Sequence, residues 1–140
     1  MLDANRQQLR QKYFDVWNRY LEKLPMEALD LQICDLILAH PEYHSIFNQP
    51  DKFIDKDYLP EQGESNPFLH LSLHLGIREQ ISTNRPEGIG MVYENLMSRH
   101  QDSHQVEHIL MECMMAQLFE AQQKQQMPDE KVYIAALQRL

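Results

Sequence analysis

Apolar residues along this chain recur at helical rather than strand spacing. Leu9, Tyr13, Val16, Trp17 and Tyr20 fall three or four residues apart between about Asn5 and Glu22, which predicts an amphipathic first helix. Pro25 suits a first helical position, and Ala28, Leu29, Leu31, Ile33, Leu36, Ile37 and Leu38 follow it. A helix apolar over that much of its circumference belongs at the centre of a core. His40 precedes Pro41, whose ring disfavours helical backbone at the residue before it, so the second helix should end there. Pro41 can then open a short turn through HPEYHSIF, with His44 just beyond the break.

The periodicity lapses from Asn48 to Ser65, NQPDKFIDKDYLPEQGES, and a stretch of this length and composition reads as a long irregular covering loop. It resumes at Asn66-Pro67, a capping side chain followed by proline at the first helical position, and the helix should run to about Thr83. Asn84 to Gly88 makes a connection, after which Ile89, Val92, Tyr93, Leu96 and His100 share a face of the next helix. Asp102 or Ser103 is the next capping residue, opening a helix from His104 to about Gln123. Met127-Pro128-Asp129-Glu130 opens a last short helix carrying Val132, Tyr133, Ala136, Leu137 and Leu140. The expected architecture is all-α: one domain over residues 1–140, a helical bundle of five to seven helices with one long irregular loop.

Composition supports this and narrows the function. The 140 residues are 43% hydrophobic and 24% charged, with only 4 glycines, too few for the turns of an all-β fold. A formal charge of −8, with no dense Lys/Arg cluster, argues against nucleic acid as a partner. No run approaches the roughly 20 apolar residues that span a bilayer, and none near the N-terminus forms a signal-peptide core, so a cytoplasmic protein without a membrane partner is expected. Cys34 and Cys113 stand singly in apolar helical patterns and read as small core residues. Asp51, Asp55, Asp57 and Glu61 lack the alternating oxygen ligands and central glycine of a calcium loop, and read as a solvated acidic segment.

The candidate chemistry lies in two histidine pairs. At about 100° per residue, His70, His74, Ile77 and Ile81 occupy a stripe roughly 60° wide. His104, His108, Met111, Met115 and Leu118 form a similar stripe, flanked by Glu107 and Glu112. Residues four apart stack on one helix face, so two such helices can direct four imidazoles at one centre. Neutral imidazole suits zinc, iron, copper or nickel, and a carboxylate from Glu107 or Glu112 shifts the preference toward iron, manganese or a dinuclear centre. The candidate ligands are therefore His70, His74, His104, His108 and Glu112, with Glu107 as an alternative to Glu112 or as an orienting group. His44 and His100 could complete the set. Glu79 projects about 180° from His70 and is excluded.

Two other arrangements account for the same residues: a buried hydrogen-bonded histidine network, or histidines that do not converge. The Glu-x-x-His pairs of di-iron bundles and the HExxH of zinc proteases are both missing.

The segments HPEYH at 40–44, NPFLHLSLHLGIREQ at 66–80, RPEGI at 85–89, HQVEHILMEC at 104–113 and PDEKVYIAAL at 128–137 resemble the uncharacterised bacterial family called domain of unknown function 1841. That resemblance covers essentially the whole chain and implies a small helical protein with no assigned activity, so it transfers no catalytic residue. By site type the chain is also similar to hemerythrin-like and DinB-like bundles, although the five histidines and two carboxylates of the hemerythrin ligand pattern are not matched.

Three functional readings follow. The first is a protein that holds a transition metal (zinc, iron, manganese or nickel) between two bundle helices. The second is a non-enzymatic interaction or regulatory module, with a buried histidine network and an acidic surface for a protein partner or a second copy. The third is a core that loosens in acid as its histidines titrate.

Overall fold

Local capping chemistry sets where the long helices begin. Asn66 Oδ1 accepts hydrogen bonds from the backbone N–H of Phe68 and Leu69 at 3.0 and 3.1 Å. Asp102 Oδ1 does the same for His104 and Gln105 at 3.0 and 3.3 Å, and Asp129 Oδ1 accepts from Lys131 N at 2.8 Å. Each satisfies N–H groups that a helix start otherwise leaves without partners.

The computed structural model of the protein describes residues 2–59 and 63–140. The fold is all-α, with no strand among the described residues. The helices are α1 (Leu2–Glu22), α2 (Ala28–Leu38), α3 (His44–Phe47), α4 (Pro50–Phe53), α5 (Pro67–Thr83), α6 (Ile89–His100), α7 (Ser103–Gln123) and α8 (Glu130–Gln138). A 3-10 turn, Pro41–Tyr43, follows the break at His40. Two single-turn helices, α3 and α4, take the count past the five to seven that periodicity predicts. Helix α4 lies within the stretch read as irregular, where Pro50 occupies a first helical position and Phe53 is buried. Glu61 lies outside the described residues. None of the described helices is long and apolar enough to cross a membrane.

The chain divides into two compact units, Met1–Ser72 and Leu73–Leu140, with the boundary inside α5. In the first unit Tyr13, Phe14, Val16 and Trp17 of α1 are buried with Ile33, Cys34, Leu36 and Ile37 of α2. Phe14, Phe47 and Phe68 pack ring against ring at 5.6 to 5.7 Å. The buried face of α1 is rotated from the one that periodicity suggests: Leu9 is 52% exposed, and Arg10, only 2% exposed, takes the inward position. Its guanidinium donates to the carbonyls of Phe53, Ile54 and Lys56 at 3.3, 3.1 and 2.8 Å and lies over the Phe68 ring. A buried cation needs such acceptors. Helix α2 is likewise one-sided rather than central, because Leu29, Leu31 and Leu38 face solvent.

The second unit has its own core of Ile77, Ile89, Val92, Leu96, Val106, Leu110, Met111 and Leu137. Gly88 opens α6 at φ 105°, a backbone region that side chains disfavour. The two thiols are free: Cys34 is buried and Cys113 half-buried. Burial pushes both thiols above their ordinary range, as expected of core cysteines.

Candidate metal centre

Helix α7, capped by Asp102, carries His104 in its first turn, with Glu107 and His108 in the next. In the second unit these meet His74 and Arg78 of α5, and His74 is fully buried. His74 Nδ1 lies 2.8 Å from Glu107 Oε1, and Arg78 Nε donates to the two oxygens of that carboxylate at 3.1 and 3.2 Å. Burial pushes the Glu107 carboxyl up, but the hydrogen bond from His74 and the charge of Arg78 outweigh it and hold it below the usual carboxylate range. Glu107 is therefore ionised at neutrality and can only accept.

That fixes the tautomer of His74. Its Nδ1 carries the proton and donates to Glu107, so Nε2 of the neutral ring bears a lone pair. This Nε2 is 3.1 Å from Nε2 of His108. The His104 ring stands beside both, its centroid 5.1 Å from that of His74 and 4.3 Å from that of His108. His74, His104 and His108 each offer a ring nitrogen, and these atoms lie within 4.8 Å of one another. Two nitrogens bound tetrahedrally to one ion at about 2.0–2.1 Å would stand about 3.3 Å apart, close to the His74–His108 spacing. A carboxylate that holds the remote N–H of an imidazole is the usual means of orienting a metal-binding histidine.

The other candidates fall elsewhere. Glu112 is exposed on α7, and Glu107, on the opposite flank of the stripe, is the acid beside His74. His70, one turn before His74 on α5, belongs to the first unit, where its Nε2 is 3.1 Å from Nε2 of His40. His44 donates through Nε2 to the Ile37 carbonyl at 2.8 Å, and its ring lies 4.6 Å from that of Trp17, so it braces the end of α2. His100 is exposed at the end of α6 rather than on its buried face. His40 is not among the sequence-predicted candidates, because its place before Pro41 signals only a helix break.

The fold and this group of side chains define an all-α protein with a buried histidine–carboxylate cluster. The chain belongs to the family described as Domain of unknown function (DUF1841), whose model matches residues 5–139. Neither a curated protein nor a solved structure matches it.

Proposed function

We propose that this protein binds a divalent first-row transition ion through ring nitrogens of His74, His104 and His108, with Glu107 orienting His74. The observation that carries the reading is the anchored His74: its proton is committed to Glu107 while its lone pair faces another imidazole nitrogen. Neutral imidazoles favour zinc, nickel or iron over calcium or magnesium. Arg78 balances the Glu107 charge, so the ion's own charge is left to attract an anion or to acidify a bound water.

A second reading has support in the same contacts. His108 Nε2–H could donate to His74 Nε2, making the cluster a buried hydrogen-bonded network inside an interaction module. Elemental analysis of tag-free protein separates the two. The metal reading expects close to one equivalent of a transition ion in this centre after reconstitution, lost in His108→Gln. Less than about a tenth of an equivalent in the wild type leaves only the network.

A further inference from the structure

The apolar stripe of α7 is longer than the core that covers it. At about 100° per residue, Met115, Leu118 and Phe119 continue the face that carries His104, His108 and Met111. Met111 is buried, but Met115 is 37% exposed, Leu118 41% and Phe119 62%. Beyond the helix the chain turns through Gln125, whose φ of 52° is left-handed, and leaves Met127 85% exposed. Met127 precedes Pro128, and Pro128 and Leu118 line the same cavity of about 380 Å³, so the exposed side chains adjoin one another. Pro86, Met114 and the Tyr133 ring supply its other apolar walls. Contiguous apolar surface of this kind marks a binding face.

The rim of the cavity indicates what covers it. Arg85 and Glu130 both line it, and neither has an ion-pair partner among the described residues. A face with an apolar centre and charges of both signs at its edge is complementary to itself, because a two-fold axis through it sets each cation against the other copy's acid. We propose that two copies of this chain pair through this face of the second unit, with Met127 of each seated in the cavity of the other and Arg85 of each beside Glu130 of the other. The flexible, unbranched methionine side chain suits an irregular apolar cavity. Four apolar side chains and a short rim place the contact at the small end of interfaces, under about 1,200 Å² in total, and a net charge of −8 on each copy opposes close approach. The dimer is therefore weak and depends on concentration.

The test is sedimentation equilibrium of the tag-free full chain, with chelator present so that bridging metal plays no part. The mass should rise from that of one chain toward that of two between about 5 and 500 μM. Leu118→Glu and Met127→Glu each place a carboxylate in the apolar centre and should weaken association at least about tenfold. Both positions are exposed, so the folded monomer tolerates the changes, and circular dichroism checks its helical content. Arg85→Glu and Glu130→Arg should each lose the dimer alone and regain it when mixed in equal amounts, because the mixed pair again sets opposite charges together. A chain that stays monomeric at about 500 μM overturns the proposal, as does a dimer that survives both Leu118→Glu and Met127→Glu. A mixture that associates no better than either charge variant alone overturns the two-fold seating.

Discussion

Replacing Glu107 by glutamine isolates what its negative charge contributes. Glutamine keeps the shape and an acceptor oxygen for His74 Nδ1–H, but it gives Arg78 no charge partner. Removing one member of a buried ion pair costs about 3–5 kcal/mol. Here the Arg78 side chain is 28% exposed and can recover water, and one hydrogen bond survives, so about 1–3 kcal/mol is expected without metal. For a chain of this size that lowers the melting midpoint by roughly 3–10 °C. Metal adds a second term. Loss of the group that orients a ligating histidine weakens binding about 10- to 100-fold, and with metal in excess this removes about 1.4–2.7 kcal/mol more of ligand-derived stability. The assay is urea unfolding of tag-free wild type and Glu107→Gln, each with chelator and with excess zinc. An equal difference in both conditions refutes the metal reading. A difference under about 0.5 kcal/mol with chelator refutes the Glu107–Arg78–His74 geometry itself. The charge-dependent part also has a pH signature. Because the carboxyl is held low, its contribution is present above the ordinary glutamate value of about 4.3 and is lost as pH falls through the lower folded value, so the variants converge in acid.

Other substitutions test the frame that holds the site. Arg10→Met keeps an apolar stem but strands three carbonyls, and should cost about 2–4 kcal/mol in urea unfolding, whereas Leu9→Ala, at a half-exposed position, should cost under about 1 kcal/mol. Asp102→Ala removes the acceptor of two backbone N–H groups at the start of α7 and should cost about 1 kcal/mol, read as a lower thermal midpoint. Asp30 is held below its usual range chiefly by its hydrogen bond with Lys12, 2.6 Å away, so Asp30→Asn should be less stable than wild type at pH 7. That difference should vanish as pH drops below the folded value of Asp30, and a constant difference down to pH 2 would contradict the pairing.

The helices were legible because their signals are local. Asn66-Pro67 and Asp102 announce their own helix starts, and the 3.6-residue period marks α1, α6 and α7. The parts that were not legible depend on distant partners. Leu9 and Arg10 compete for one inward position of α1, and the carbonyls that make arginine acceptable there come from residues 53–56, more than 40 positions away. Glu107 and Glu112 flank the same stripe equally well on a helical wheel, and only the approach of Arg78 and His74 distinguishes them. The stripe names His74, which meets the α7 histidines. His70 on the same stripe meets His40, 30 residues earlier in the chain, a neighbour that no local signal announces.

X-ray absorption at the metal edge of zinc-reconstituted, tag-free protein addresses the proposed centre most directly. The account predicts nitrogen neighbours at about 2.0–2.1 Å with the outer-shell scattering of imidazole rings, and loss of that signal in a His104→Gln, His108→Gln double variant. A first shell of oxygen alone, or a spectrum unchanged by that double substitution, would contradict it.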